Sequence, residues 1–223
     1  MAPQRTPPFR LLAISQLFSP STPAPASAAT AAAGAWFAAL AAAGVDAMQL
    51  REKGLDDRSL LALAKAARAT LPATARLLVN GRADIALASG ADGAHLPADG
   101  LPAARLRARL GAGPLLGVST HDLAEVEQAA RDGADYVVFG PVWDTPGKPA
   151  ARQPAGLAAL ARAAAVGIPA YALGGVTLER FADVAATGAA GVAAIRLFRT
   201  ETALEQIVEA AHAAFPRPWR EQN

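Results

Sequence analysis

The chain has 223 residues, of which 52% are apolar and 18% are charged, so its composition predicts a folded globule with a sizeable core and excludes a disordered protein. The net charge of +2 comes from scattered lysines and arginines without a basic block, which argues against nucleic acid as a partner. The absence of cysteine excludes disulfides, thiolate metal sites and a cysteine nucleophile, and it fits a cytoplasmic protein.

The first long apolar stretch, residues 11–45, carries no charge and superficially looks like a membrane span. Alanine, its commonest residue, is close to neutral on transfer scales, and two prolines interrupt the stretch. Trp36, Phe37 and Leu40 recur at helical spacing, as in a helix that packs one face on a core. We therefore predict a helix of a soluble protein here, without a membrane partner.

Along the rest of the chain, short apolar runs alternate with alanine-rich helical patterns, and helix-ending glycines recur just before the runs. Eight such runs in 223 residues predict an α/β fold, a single (β/α)8 TIM barrel over residues 1–223, with a doubly wound sheet as the alternative. The runs are Phe9–Ser15, Val45–Arg51, Ala75–Asn80, Gly93–Pro97, Leu115–Thr120, Ala134–Val142, Ile168–Gly174 and Gly191–Ile195.

In such a barrel, catalytic groups lie where the strands end and the following loops begin. The second run ends in "MQLREK", which places Gln49, Arg51 and Lys53 on alternate positions. Side chains of a strand alternate with a period of two, so all three are expected to point toward the barrel mouth. A merely solvated strand end is the simpler alternative, but inward-pointing cations favour a functional role.

His121 directly follows the fifth run and precedes a predicted helix, a position that suits acid–base chemistry because an imidazole ordinarily titrates near neutral pH. His95, near the end of the fourth run, is equally compatible with a hydrogen-bonded structural role, and His212 in the last helix is interpreted as a surface residue. Further polar candidates at strand ends are Asn80, Ser119 and Thr120.

Glycines after the seventh run predict a phosphate site. Gly174 and Gly175 allow the backbone to approach a ligand with free N–H groups. The last run, "GVAAIRLF", offers a second such turn at Ala194 and Ile195. Loops after strands seven and eight bind phosphate in many barrels of this class.

Several of these segments together resemble one family. "QLREK", "LLVNGRADIALA", "DGAHLP", "LGVSTHDLAE", "GADYVVFGPVWDTPGKP", "ALGGV" and "GAAGVAAI" keep the order and spacing of the thiamine phosphate synthase and thiazole tautomerase (TenI-type) family over roughly residues 9–199. The resemblance implies a small (β/α)8 enzyme of thiamine biosynthesis that binds a thiazole phosphate, and it leaves a homodimer open.

The synthase branch joins a pyrimidine diphosphate to a thiazole phosphate and releases pyrophosphate with Mg²⁺. The resemblance implies that Gln49, Arg51 and Lys53 hold the diphosphate together with Thr145 and Lys148 of the sixth loop. Cations at these positions would stabilise the departing anion.

The carboxylates that hold Mg²⁺ in the synthase pattern are replaced here. Gly81 and Gly100 occupy their positions, and glycine supplies no oxygen ligand. Asp84 and Asp99 are the nearest carboxylates, and whether either substitutes is left open, as is the role of Arg196 after the last strand.

The tautomerase branch moves a proton to aromatise a carboxythiazole phosphate and needs no metal or other cofactor. The resemblance then implies that His121 shuttles the proton, while Arg51 and Lys53 hold the substrate carboxylate and Thr120 assists. We expect a thiazole tautomerase first, a thiamine phosphate synthase second, and a non-catalytic relative that binds thiazole or thiamine phosphate third.

Overall fold

The strands of the chain form a closed parallel barrel in the order β1 to β8, and β1 pairs with β8 through Leu11 and Val192. The computed structural model describes residues 8–18, 26–144, 153–199 and 203–215, with only the backbone for residues 26–29. Closure confirms the predicted barrel and excludes the doubly wound sheet, whose edges stay open. The strands are β1 Leu11–Ile14, β2 Ala47–Leu50, β3 Arg76–Asn80, β4 Gly93–Leu96, β5 Leu115–Thr120, β6 Tyr136–Phe139, β7 Ala170–Ala172 and β8 Gly191–Ala194.

Helices alternate with the strands and surround the barrel. Short 3₁₀ turns at Leu178–Arg180 and Arg196–Phe198 follow β7 and β8. The α-helices are α1 Ala26–Ala42, α2 Asp57–Thr70, α3 Ala83–Ser89, α4 Ala103–Leu110, α5 Leu123–Arg131, α6 Gly156–Ala164, α7 Phe181–Ala186 and α8 Leu204–Ala214.

Two helices begin with side-chain caps that the sequence encodes directly. The Asp56 carboxylate accepts the N–H of Ser59 at 3.0 Å at the start of α2. The Asp122 carboxylate accepts the N–H of Glu125 at 2.9 Å at the start of α5. Each cap contributes about 1 kcal/mol to helix stability, and the second determines where the chain turns after β5.

The larger of two apolar cores lies between the strands and the helices. Trp36, Phe37 and Leu40 of α1 are buried in this outer core, as their spacing predicts, and the Trp36 indole donates to the carbonyl of Phe198 at 2.8 Å. No helix of the described residues is long and apolar enough to cross a membrane.

The second core fills the inside of the barrel at its amino-terminal end. Phe9 stacks on Tyr171 with ring centroids 4.5 Å apart and meets Tyr136 edge-on at 5.0 Å. The Tyr171 hydroxyl donates to the Phe9 carbonyl at 2.7 Å. These three rings close the floor of the barrel, and polar side chains begin above them.

Candidate functional site

Gln49 lies on the inner face of β2, two residues beyond Ala47 of the inner core. Its side chain is buried, and its amide nitrogen Nε2 has no hydrogen-bond partner within the described part of the chain. A buried donor without an acceptor costs about 1–3 kcal/mol, so such groups are retained where a ligand supplies the acceptor. We therefore predict that Gln49 lies in the deep part of a ligand site.

Arg51 follows on the same side of the chain and is half-buried. Its guanidinium has no acceptor among the described residues, while its backbone N–H donates to the Ser15 hydroxyl at 2.9 Å. Burial lowers the pKa of Arg51 from its ordinary value, and Glu52 acts in the opposite direction. Arginine nevertheless stays charged in proteins, so a desolvated guanidinium here calls for an anionic ligand.

The sequence analysis missed Glu52, which points away from the barrel interior. Its buried carboxylate accepts the backbone N–H groups of Leu17 at 3.0 Å and Phe18 at 3.2 Å. Glu52 thereby holds the start of the loop after β1 against the strand end that carries Arg51. A carboxylate directly after Arg51, at the alternate position of the strand end, was the available signal.

Lys53 does not follow the period-two expectation, because β2 ends at Leu50 and Lys53 lies in a turn with an exposed side chain. It lines a recess of about 160 Å³ at the edge of the mouth together with Asn80 and Arg82. Asn80 ends β3 and pairs in register with His95 of β4, as expected for a residue at the mouth. Lys53 thus lies near Asn80 on the outer side of the mouth, and its role in the site stays a prediction.

His95 is buried inside the barrel between two hydroxyl groups. Its Nδ1 lies 3.0 Å from the Tyr136 hydroxyl and its Nε2 lies 2.8 Å from the Ser119 hydroxyl. Burial, and secondarily the charge of Arg51, lowers the pKa of His95 to about 3. The ring is therefore neutral at physiological pH and acts through hydrogen bonds.

This burial predicts a pH dependence of stability. In the unfolded chain His95 binds a proton below pH of about 6.5, whereas in the folded chain it does so only below about 3. Its stabilising contribution is therefore complete above the unfolded pKa and is lost as the pH falls toward the folded pKa. We expect the free energy of unfolding to fall by about 2 kcal/mol between pH 7 and pH 5 from this group alone.

Urea denaturation at several pH values measures this slope. His95→Asn should flatten it, whereas His212→Asn, which changes an exposed histidine, should retain it. An unchanged slope in a folded His95→Asn protein would contradict the assignment.

Ser119 and Thr120 end β5 but point to opposite sides of the barrel wall, as adjacent strand residues must. Ser119 is partly exposed toward the mouth and contacts His95. Thr120 is buried, and its hydroxyl donates to the carbonyl of Val138 at 3.5 Å. The structure thus brings Ser119 into the site and gives Thr120 a contact in the barrel wall instead.

His121 lies at the corner between β5 and α5 and is partly exposed. Its backbone N–H donates to the Glu125 carboxylate at 2.7 Å, and its Nδ1 is hydrogen-bonded to the carbonyl of Gly140. A carbonyl only accepts, so Nδ1 carries a proton. In the neutral ring Nε2 then keeps its lone pair, and it has no partner among the described residues.

Gly174 and Gly175 both have positive φ angles, of 94° and 64°. A Cβ at Gly174 would lie 2.6 Å from the Pro141 Cβ, and one at Gly175 would lie 2.6 Å from the Asp144 carbonyl oxygen. The glycines are therefore required by close packing of the loops after β6 and β7, a reason that sequence analysis did not identify. Neither backbone N–H has an acceptor among the described residues.

The turn after β8, like the turn after β7, presents backbone N–H groups. Ala194 ends the strand and is buried, while Ile195 leads into the 3₁₀ turn Arg196–Phe198. The backbone N–H groups of Ile195 and Arg196 have no acceptor among the described residues, and the Arg196 side chain is exposed. Turns after β7 and β8 thus offer adjacent N–H groups at one mouth.

The residues near Gly81 and Gly100 do not suit a magnesium site. Asp84 is held by two hydrogen bonds from Arg82, of 3.0 and 2.7 Å, and this contact lowers the pKa of Asp84. Asp99 is exposed. Within the described residues, no three histidine or carboxylate side chains are grouped so that they could hold a metal ion.

Two sequence-predicted site residues, Thr145 and Lys148, lie outside the described residues. The remaining candidates at the mouth are a buried amide, a neutral buried histidine with a serine, and a second histidine. They also include a guanidinium and two turns of backbone N–H groups that have no acceptor among the described residues. Such an arrangement suits a phosphorylated heterocycle, because it offers anion-binding groups beside groups that recognise a ring.

Known proteins of one family are similar to this chain. The family model described as thiamine monophosphate synthase matches residues 23–198. A putative thiamine-phosphate synthase of Geobacter sulfurreducens is 49% identical over 156 residues, which are 69% of this chain and 73% of that protein. The thiamine-phosphate synthase of Methanoculleus marisnigri is 46% identical over 157 residues, 70% of this chain and 74% of that protein.

A solved structure has the same fold. The thiamine phosphate pyrophosphorylase from Pyrococcus furiosus superposes with a TM-score of 0.76 at 24% identity and covers 93% of this chain and 98% of that one. At this identity the likeness concerns the barrel itself.

Proposed function

Because the chain belongs to the thiamine monophosphate synthase family, we propose that it is a thiamine phosphate synthase, a transferase that joins a pyrimidine diphosphate to a thiazole phosphate. Sequence analysis placed the tautomerase first, but the names of the relatives support the synthase better. The observation that carries the proposal is the desolvated guanidinium of Arg51, unpaired among the described residues, above the buried amide of Gln49.

In this reaction the bond between the pyrimidine methylene and its diphosphate breaks, the thiazole nitrogen forms the new bond to carbon, and pyrophosphate leaves. Arg51 would stabilise the negative charge that develops on the leaving group. Gln49 would donate its free amide hydrogens to an acceptor of the pyrimidine ring. Lys53 at the rim, and Lys148 outside the described residues, are proposed to add positive charge.

The thiazole phosphate would bind at the turns after β7 and β8. The free N–H groups of Gly174, Gly175 and Ile195 suit phosphate oxygens, because backbone donors and a following turn attract anions. This leaves the ring of the substrate over the middle of the mouth, close to His121 and Ser119.

The family resemblance implies Mg²⁺, but the described residues do not fit it. Gly81 and Gly100 provide no side-chain oxygen, and the carboxylate of Asp84 is already held by Arg82. We therefore assign the stabilisation of the developing charge to the cationic side chains.

A specific observation favours thiazole tautomerase as the second candidate. The bond from His121 Nδ1 to the Gly140 carbonyl leaves Nε2 as the basic atom. An imidazole in this state can remove a proton from a carboxythiazole phosphate at one atom and return it at another. The missing metal carboxylates agree with this reaction, which needs no leaving diphosphate.

Two assays on the purified protein separate the candidates. A synthase releases pyrophosphate from hydroxymethylpyrimidine diphosphate only when thiazole phosphate is added, with Mg²⁺ supplied in the buffer. A tautomerase aromatises the carboxythiazole phosphate tautomer and loses this activity in His121→Asn. Absence of pyrophosphate release would overturn the proposal. Thermal stabilisation by thiazole phosphate without either turnover would identify a binding relative.

A further inference from the structure

Three side chains form a continuous hydrogen-bonded chain from the barrel interior to its mouth. The Tyr136 hydroxyl is 3.0 Å from His95 Nδ1, and His95 Nε2 is 2.8 Å from the Ser119 hydroxyl. Tyr136 and His95 are buried, whereas Ser119 is partly exposed. We call this the Tyr136–His95–Ser119 chain.

Burial determines which atoms donate in the hydrogen bonds of the Tyr136–His95–Ser119 chain. The Tyr136 hydroxyl has no partner other than His95 among the described residues, and burial raises the pKa of Tyr136, so it keeps its proton. A buried O–H without an acceptor is costly, so Tyr136 donates to Nδ1. A neutral imidazole has one N–H, and that hydrogen must then be on Nε2.

The tautomer of His95 determines the hydrogen-bonding role of Ser119. Since His95 Nε2–H donates to the Ser119 oxygen, the serine's own hydrogen cannot be directed at His95 and is available to a ligand in the mouth. If His95 adopted the other tautomer, Ser119 would donate inward and would present only lone pairs to the ligand.

We propose that Tyr136 and His95 are positioning residues that keep Ser119 as a hydrogen-bond donor toward an acceptor atom of the bound heterocyclic phosphate. The proposal rests on the proposed function for the nature of the ligand. The tautomer itself does not depend on that function, because it follows from protein contacts alone.

The mouth then contains two histidines in opposite tautomers. His121 donates from Nδ1 to the Gly140 carbonyl, whereas His95 accepts at Nδ1 from Tyr136. Long-range ¹H–¹⁵N correlation spectra of protein labelled with ¹⁵N-histidine distinguish the two forms directly. Only three histidines occur in the chain, so His121→Asn and His212→Asn assign the signals without changing His95.

We expect His95 to be in the Nε2–H form from about pH 6 to about pH 8, because its ring is neutral over this range. In Tyr136→Phe no hydroxyl donates to Nδ1, so this contact no longer fixes the tautomer, and a measurable fraction of the Nδ1–H form, in which Ser119 donates to Nε2, is expected. An Nδ1–H tautomer of His95 in the unaltered protein would overturn the proposal, whatever reaction the protein catalyses.

Kinetics test the link to Ser119. Tyr136→Phe should lower kcat/KM severalfold, up to about the tenfold that one hydrogen bond contributes, for whichever of the two proposed reactions the protein catalyses. Tyr171→Phe is the matched control, because it also removes a buried hydroxyl, but one that donates to Phe9 at the floor of the barrel. It should leave kcat/KM within about twofold.

A double-mutant cycle completes the test. In a Ser119→Ala background the Tyr136→Phe change should have no further effect on kcat/KM, because the donor that it positions is gone. Additive losses, or an equal loss in Tyr171→Phe, would overturn the proposal. If neither reaction is detected, the cycle is measured on the dissociation constant of thiazole phosphate, with the same expected and contrary outcomes.

Discussion

Replacing Arg51 by methionine is expected to lower kcat/KM by about 100- to 1000-fold, the usual cost of removing one charged group that stabilises a developing anion. The same change should leave the free energy of unfolding equal or higher. The guanidinium is desolvated and has no acceptor among the described residues, so the folded protein loses no ion pair with it. Methionine keeps the apolar stem of the side chain.

This opposition between activity and stability distinguishes a ligand-binding arginine from a structural one. Pyrophosphate release and urea denaturation are the two measurements. Arg58→Met, at an exposed position of α2, removes the same charge from the surface and should change neither quantity. A loss of stability in Arg51→Met that parallels its loss of activity would refute the assignment.

Replacing Gly117 by alanine should destabilise the protein by about 3 kcal/mol, at the upper end of the usual cost of overpacking. A Cβ at Gly117 would lie 2.0 Å from Cζ and 2.3 Å from the hydroxyl oxygen of Tyr136. Tyr136 cannot move away easily, because it is wedged against Phe9 and bonded to His95. The substitution should therefore disturb both the floor and the hydrogen-bonded chain above it.

A second change tests this explanation. Tyr136→Leu shortens the side chain that the new methyl group meets, so Gly117→Ala should cost clearly less in that background than alone. Gly34→Ala serves as the control, since a Cβ there meets nothing within 4 Å and α1 tolerates alanine. Equal costs in both backgrounds would show that the contact with Tyr136 is not the cause.

Much of the fold could be predicted from local patterns. Eight apolar runs correspond to eight strands, and the spacing of Trp36, Phe37 and Leu40 correctly identified the buried face of α1. These predictions succeeded because periodicity and helix-ending glycines are local signals, visible within a short segment of the sequence.

Contacts between side chains were harder to predict from the sequence. Lys53 was expected to continue the alternation of β2, but the strand ends three residues earlier. Tyr136 was not singled out, because nothing in the sequence around it announces a contact with His95, 41 residues away. The phase of an alternation and the end of a strand depend on neighbouring strands, which a single segment does not specify.

The glycine pair illustrates a different limit. Gly174 and Gly175 were interpreted as room for a ligand, and the structure adds that the loop after β6 packs directly on them. A glycine indicates that some atom approaches the backbone closely. Whether that atom belongs to a ligand or to another segment of the chain depends on the tertiary structure. Packing explains the two glycines here, and their role in binding a ligand stays a prediction, because it is supported only by N–H groups without an acceptor among the described residues.

The ring cluster of Phe9, Tyr136 and Tyr171 has a kinetic consequence for any two-substrate reaction at this mouth. Packed aromatic rings block passage through the described barrel, so molecules enter and leave by the same side. The substrate that contacts Gln49 must then bind first, because the second substrate would cover the deep part of the pocket. Depth in the pocket would thus impose an ordered mechanism, with the most deeply seated product leaving last.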